Sequence, residues 1–434
     1  MNSHSHSLGR FTNVTAFIRS VCFIAGLAIL IPFQTNHAQS LSASIQAMLQ
    51  NFPEIKVGQA DVRIQESAID TARSQRLPQL GLSLRGGEER FRKPSSRYSL
   101  AKLGGFSFDA SQLLFDGGSA RSRIREARAL NQLSEIELES TRQGLALDLS
   151  QTYVDIIKFR TLLGFAEESA RIHRTALDKT SQKHRAGAGP RADVELVTAR
   201  LSMSEATLQA RRRQLAYAVT TYRKYTALDP DELEEPEFPD WALPVSIEEV
   251  NLGRNPNIRS ALANISATEA RHRGAKSAFL PQFDLFLQSS RSDSARYSNQ
   301  QQDTSGLVVM SYDIFGGGRR KADLQHTLSA IDKATYELET TESELGAAFM
   351  NAWNDLTIAE ERLYRLEDYR DAMTSVVSAY QKQFELGQRA LINVLDVENE
   401  LFSAKSSVAE ERYNRIQAAY RILSVNGTLL ENLQ

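Results

Sequence analysis

The sequence predicts a mainly α-helical protein with a small antiparallel β part, its whole plan written twice along the chain. Three observations carry this. Proline and glycine are sparse, 11 and 23 residues in 434, which suits long helices because these two residue types cost most in a helix interior. A set of motifs in the first half recurs, in the same order, in the second. Four short segments alternate apolar and polar residues with period two, the pattern of strands with one apolar face.

Composition excludes several classes. A formal net charge of −2 with 24% charged residues gives no overall drive towards nucleic acid. A single cysteine excludes a disulfide framework and a four-cysteine metal site. The mean hydropathy is −0.36, and the body of the chain holds no apolar run of about 20 residues, which excludes a helical integral membrane protein.

Taken in order, residues 1–38 read as a secretory signal peptide, with cleavage after Ala38 or after Ser40. Arg10 and Arg19 precede an apolar run over 21–33, and the small residues Ala38 and Ser40 follow it. The run is shorter than the roughly 17–25 residues that span a bilayer. Cys22 opens the run instead of closing it, so it belongs to the leader and is not a lipid attachment site. His4 and His6 lie in the same segment.

The first repeat is expected over 41–228 and the second over 251–434. Leu77-Pro78-Gln79 recurs as Leu280-Pro281-Gln282, with Ile55 matching Ile258 and Ala60 matching Ala263, an offset of 203. Phe115-Asp116-Gly117-Gly118 recurs as Phe315-Gly316-Gly317-Gly318, and Gly187, Asp193 and Val194 as Gly387, Asn393 and Val394, at an offset of 200. The change places a deletion, and so a loop, between Pro281 and Phe315.

Each repeat opens with a helix, expected from Pro53 to Leu77 and from Pro256 to Leu280. Asn255 caps the second, with Pro256 at the first helical position, where its missing N–H costs nothing. Pro78 and Pro281 stop both, because the residue before proline is pushed to extended geometry. Strands are expected at about 79–86 and 105–115, then at 282–289 and 305–315, near the ~9–11 residues of a tilted membrane-spanning strand. The glycine turns at Phe115 to Gly118 and Phe315 to Gly318 then launch very long helices, with Ser119 the expected cap of the first. Leu130, Ser134, Leu138, Thr141 and Leu145, and Leu328, Ile331, Thr335 and Leu338 in the second copy, step by three and four as in coiled coils. Ser119 to Arg185 would reach about 100 Å at 1.5 Å per residue. Gly187-Ala188-Gly189-Pro190 and Gly387-Gln388 reverse the chain into return helices over about 192–228 and 391–427. Between the repeats, 229–250 is an acidic connector holding Pro230, Pro236, Pro239 and Pro244, expected to wrap the helices near mid-length as an equatorial belt.

Four strands cannot close a barrel, and an open edge in lipid leaves backbone groups unpaired. Membrane barrels start at about eight strands and prefer even counts. A dimer would supply eight strands and a trimer twelve. Eight leave an interior filled by side chains, so a passage favours the trimer.

The duplicated order of helix, Leu-Pro-Gln, strand pair, Phe-(Asp/Gly)-Gly-Gly, long helix and glycine tip resembles the TolC family of outer-membrane channel-tunnels, over the whole chain after the leader. The resemblance implies a homotrimer in the cell outer membrane. Its transmembrane antiparallel β-barrel would be continued by a long coiled-coil α-helical barrel in the periplasm. The partners implied are a periplasmic adaptor, an inner-membrane pump and outer-membrane lipid. Carried over residue by residue, the periplasmic gate maps onto Arg389 and Asp193, with Ala192 where the family has a threonine. Phe384 stands where an aromatic locks the tip helices and, lacking a hydroxyl, only packs. The acidic double ring of the pore constriction maps onto Asn393 and Asp396, of which only Asp396 keeps its charge. Gly187, Ala188, Gly189, Gly387 and Gln388 are the implied adaptor-docking tips. The barrel-to-helix turns are Phe115, Gly117, Gly118, Phe315, Gly317 and Gly318, with Pro78 and Pro281 beside them.

Other constellations do not point to chemistry. Arg211-Arg212-Arg213 reads as a solvated helix face and not as a nucleic-acid patch. His173, His184, His272 and His326 lack paired metal-ligand spacing. Gly316-Gly317-Gly318 is followed by Arg319-Arg320-Lys321 and not by the Lys-Ser/Thr of a phosphate loop. These cations, with Arg121 and Arg123, are expected where barrel meets helix, at the periplasmic surface of the membrane. No nucleophile–base pair or carboxylate dyad stands out, so neither an enzyme nor a cofactor is expected. A periplasmic adaptor or a structural coiled-coil protein is the alternative class, but an adaptor carries one hairpin flanked by β domains and a filament lacks the strands. Within the channel reading, type I secretion of a large adhesin or toxin through an ABC transporter is favoured. The leader ends without a cysteine, and 111–118, Ser-Gln-Leu-Leu-Phe-Asp-Gly-Gly, resembles the secretion branch. The alternative is the outer component of a multidrug efflux pump of the RND type.

Overall fold

A computed structural model describes residues 39–92, 98–294 and 301–433; the expected leader at 1–38 lies outside them. The helices are α1 (Leu41–Asn51), α2 (Pro53–Ser74), α3 (Ser119–Arg185), α4 (Arg191–Thr226), α5 (Pro256–Ser277), α6 (Arg319–Glu385), α7 (Leu391–Val425) and α8 (Leu429–Leu433). The strands are β1 (Gln79–Phe91), β2 (Ser99–Phe115), β3 (Gln282–Ser294) and β4 (Gln301–Ser311). α3 and α6 are both 67 residues long, about 100 Å at 1.5 Å per residue. Neither contains a proline, so nothing interrupts the hydrogen-bond ladder.

The helices form one layer. α2 and α4 pack in succession along α3, α5 and α7 pack along its other flank, and α6 packs outside α5 and α7. The strands repeat this arrangement as a single antiparallel sheet in the order β1-β2-β3-β4. Layer and sheet therefore share their open sides: β1 with α2 and α4, and β4 with α6. The burial agrees. α3, flanked on both sides, buries Leu149, Tyr153, Ile156 and Leu162 almost completely, whereas α6 leaves Tyr336 and Tyr364 more than 60% exposed.

Register turns the period-two pattern into faces. Leu80, Leu82 and Leu84 pair with Ala110, Phe108 and Phe106. Ala110 in turn pairs with Leu287, and Leu285 and Phe283 pair with Val308 and Met310. These side chains share one apolar face. Opposite them lie Gln79, Gly81 and Ser83 with Ser111, Asp109 and Ser107, then Gln288 and Ser290. A bulge between Leu113 and Phe115 shifts the parity and brings the Phe115 ring to 6.2 Å from that of Phe283.

The strands differ in extent from the sequence expectation. β1 and β3 continue past residues 86 and 289, and β2 begins at Ser99 and not near 105, because backbone pairing persists through Glu88↔Lys102 and Ser292↔Gln301. There β3 and β4 are polar on both faces, and in β2 Leu100 and Leu103 fall on opposite faces, so no period-two alternation marks the pairing. β4 is the reverse case: it starts at Gln301 and stops at Ser311, short of the expected 315. Its partner strand begins at Gln282, after a proline that has no N–H to offer.

The main core lies at mid-length, where α1, α3, α4, α7 and α8 converge. Ile45, Met48, Leu149, Tyr222, Leu423 and Leu429 are fully buried there, each contributing about 1.5–3 kcal/mol. The connector is laid onto this zone. The Tyr153 hydroxyl lies 2.7 Å from the Gln39 carbonyl and 2.8 Å from that of Glu234, Tyr413 donates to Glu235 at 2.9 Å, and Arg160 donates to the Pro230 carbonyl. The Arg415 guanidinium lies 3.7 Å from the Phe238 ring centre.

Burial raises the pKa of the Tyr153, Tyr222 and Tyr413 phenols. It pushes Tyr420 up to about 12, with the Glu237 carboxylate adding to the effect. A raised pKa means stability that is complete below pH ~10 and lost as pH rises towards 12. For Tyr420 two pH units correspond to roughly 2–3 kcal/mol. Thermal unfolding followed by circular dichroism is expected to hold steady to pH 10 and then fall, with a shallower fall for Tyr420→Phe.

Candidate functional site

At the helix-hairpin tips the two repeats have the same backbone. Gly187 and Gly387 sit at φ +74° and +71°, which only glycine adopts freely. Ala188 N–H donates to the Lys183 carbonyl and Gly187 N–H to that of His184, both at 2.9 Å. Gln388 N–H donates to the Gln383 carbonyl and Gly387 N–H to that of Phe384, at 2.9 and 3.0 Å. Each pair of bonds closes the last carbonyls of its helix. Gly187, Ala188, Gly387 and Gln388 are exposed and Gly189 half-buried.

The expected gate residues lie at these tips. Arg389 is half-buried. Its Nε donates to Gln383 Oε1 at 2.7 Å, and its guanidinium lies 3.6 Å from the Tyr380 ring centre, a close cation–π contact. Asp193 is exposed in the first turn of α4, where the helix dipole favours a carboxylate. Among the described residues no ion pair joins Asp193 to Arg389 within one chain. Phe384 is packed from the other repeat: the Lys183 ammonium lies 5.2 Å from its ring centre, so the two tips are neighbours in a single chain.

Asn393 and Asp396, one turn apart on α7, are both exposed. Asp396 forms an ion pair of 2.7 Å with Arg200 of α4. This pair spans a cavity of about 260 Å³ that is floored by Ala166, Ser169 and His173 of α3. His173 is buried, and its Nδ1 lies 2.8 Å from the Ser169 carbonyl. Sequence reasoning did not single out Arg200 or Tyr380. Arg200 has no local signal, because its partner is in the other repeat. Tyr380 precedes Phe384 by one helical turn, and that spacing was the available hint.

At the barrel end, Gly117, Gly118, Gly317 and Gly318 have φ of +67°, +94°, +64° and +87°. The expected cap Ser119 is instead the first residue of α3. The capping acceptor is Asp116, whose carboxylate takes the Gly118 N–H at 3.0 Å and that of Ala120. One carboxylate accepts from both of these free helix-end donors, and the helix dipole favours its charge there; Asp-Gly-Gly was the signal. Gly117 is also packed against the end of α5: a Cβ there would lie 2.8 Å from the Ser277 carbonyl oxygen and 2.9 Å from Leu280 Cβ. Gly317 has no such neighbour. Phe315 is 85% exposed against 47% for Phe115, because β4 has already ended. Pro78 and Pro281 stand at the head of β1 and β3. Arg123 donates to Gln75 at 2.7 Å and Arg320 to the Ala278 carbonyl at 3.2 Å, each tying a long helix to the segment that enters the sheet. Among the described residues no group of acidic or histidine side chains could hold a metal ion, and no helix is long and apolar enough to cross a membrane.

This architecture has known relatives. A family model described as "Outer membrane efflux protein" matches residues 44–227 and 249–428. The outer membrane efflux protein BepC of Brucella suis is 21% identical over 397 residues, covering 90% of this chain and 86% of BepC. The outer membrane protein TolC of Escherichia coli is 25% identical over 415 residues, covering 89% and 81%. The alkaline protease secretion protein AprF of Pseudomonas aeruginosa is 22% identical over 337 residues, covering 74% and 69%. The solved CmeC outer membrane channel of Campylobacter jejuni superposes with a TM-score of 0.79 at 15% identity, covering 97% of this chain and 94% of CmeC.

Proposed function

This chain belongs to the Outer membrane efflux protein family, and from that premise we propose that three copies close into one conduit across the outer membrane and periplasm. As a family member it is an outer-membrane channel for efflux or secretion and not an enzyme. The observation that carries the trimer is the coincidence of open edges in sheet and helical layer. Joining β4 of one copy to β1 of the next pairs the free backbone that lipid would not tolerate. The same join covers α6 with α2 and α4. Three copies make twelve strands, wide enough for a passage.

Residues 41–228 and 251–434 act as the two repeats of this duct, and 229–250 as its belt. The leader is removed after Ala38 rather than after Ser40. Gln39 accepts from Tyr153 and donates its N–H to the Glu232 carbonyl at 2.7 Å, and Ser40 Oγ caps α1 by accepting from Ala43 N–H at 3.2 Å. Intact-mass measurement of the exported chain is expected to give Gln39 as its first residue; a chain starting at Leu41 contradicts this.

At the tips, Arg389, Asp193 and Phe384 form the periplasmic gate, Asn393 and Asp396 the constriction, and Gly187 to Gly189 with Gly387 and Gln388 the surface that an adaptor meets. Arg389→Ala is expected to raise the conductance of the isolated channel in a planar bilayer. Unchanged conductance would sink the gate assignment.

For cargo, type I secretion of a large adhesin or toxin through an adaptor and an ABC transporter is the reading we favour. The 111–118 run and the leader without a closing cysteine support it, as does likeness to a protein named for alkaline protease secretion. Efflux with an RND pump is the second reading, favoured by the name BepC carries. Profiling surface and supernatant proteins of a strain lacking this chain separates them. Loss of one very large protein with drug tolerance intact supports secretion; an unchanged protein profile with raised drug susceptibility supports efflux.

A further inference from the structure

We propose that Arg200 sets the ion preference of the constriction by neutralising Asp396, the acidic group that the constriction retains. This rests on the placement of Asp396 at the constriction given above. α4 and α7 both run away from the tips on opposite flanks of α3. Val197 and Leu395 share a buried cluster with Ala176 of α3, and beside it long charged side chains reach over α3 from one helix to the other. Arg200 does this at 2.7 Å to Asp396, and Arg211 repeats it further along the same two helices at 3.0 Å to Glu410. The repetition, in parallel order, makes this the regular mode by which the two return helices are joined. Arg200 is the more enclosed partner, 28% exposed against 54% for Asp396, and it roofs the cavity over Ser169 and His173. The carboxylate is therefore the more exposed member of the pair, and its counter-charge the more firmly held.

The consequence is electrostatic. Three unpaired carboxylates around a narrow passage attract cations and repel one another. Three contact ion pairs present dipoles instead, whose field dies away within about the 8 Å Debye length of physiological salt. Asn393 contributes no charge one turn away. The closed ring is accordingly close to neutral towards small ions, and Arg200 decides this without itself lining the passage.

The test uses the trimeric channel in planar bilayers under a KCl gradient, reading the reversal potential. Arg200→Gln is expected to raise cation-over-anion permeability several-fold, Arg200→Lys to leave it near the wild-type value, and Asp396→Asn to move it towards anions by exposing the guanidinium. The double variant Arg200→Gln/Asp396→Asn is expected to return to the wild-type value. Asn393→Cys, treated with a cationic thiol reagent, checks the placement independently, since the sequence has no other cysteine beyond Cys22. Block of Asn393→Cys together with unmoved potentials in both single variants overturns the role of Arg200 and leaves the constriction standing. A shift in Arg200→Gln that persists in the double variant also overturns it, because the effect then does not run through Asp396. Absence of block in Asn393→Cys overturns the constriction assignment, and the proposal with it.

Discussion

Gly117→Ala is expected to remove most folded protein from the outer membrane, while Gly317→Ala is tolerated. Both glycines sit at positive φ, where an L side chain costs about 1–2 kcal/mol. Only Gly117 is enclosed. Its added Cβ would meet the Ser277 carbonyl oxygen at 2.8 Å and Leu280 Cβ at 2.9 Å, atoms held by the end of α5 and unable to rotate away. Overpacking adds roughly 1–3 kcal/mol, and a trimer contains the fault three times. The amount of heat-resistant oligomer in outer-membrane fractions measures the difference. Equal loss in the two variants would show that the joint between α5 and the head of α3 is not under the packing constraint described.

The second large effect separates the two faces of the sheet. Leu82→Arg places a guanidinium on the apolar face shared with Phe108, where lipid contact near mid-bilayer costs about 2–4 kcal/mol per copy. Ser83→Arg places the same group on the opposite, polar face, beside Ser107, where water receives it. Outer-membrane insertion is expected to fall sharply in the first variant and to persist in the second, with altered conductance. If both insert equally, the apolar face does not meet lipid.

Much of this arrangement was legible in the sequence because it is periodic. The repeat offset, the alternation in 79–86 and 282–289, and the proline-free stretches behind α3 and α6 are local patterns with one physical meaning each. Strand ends were not legible: beyond residue 289 the strands are polar on both faces, and beyond residue 86 the apolar Leu100 and Leu103 of the partner strand fall on opposite faces, so pairing continues without a period-two signature. The Asp116 cap is written in Asp-Gly-Gly, although the nearby hydroxyl of Ser119 is a competing local signal for the same role. The candidate site was legible only in part. The tip glycines announce themselves through the turns they permit. Arg200 meets Asp396 only because α3 holds α4 and α7 on its two flanks, and that order of helices is a tertiary fact with no sequence period. The connector is intermediate: its prolines mark it as non-helical, but its fixation by Tyr153 and Tyr413 depends on partners far away in sequence, which no local pattern marks.

The central claim is closure of a four-stranded, four-helix-wide protomer by identical copies. Native mass measurement of the detergent-extracted outer-membrane protein tests it most directly. Three chains per particle is the predicted result, giving twelve strands and a passage. Two chains would give eight strands and an interior filled by side chains, and a single chain would leave β1 and β4 unpaired in lipid; either result contradicts the conduit.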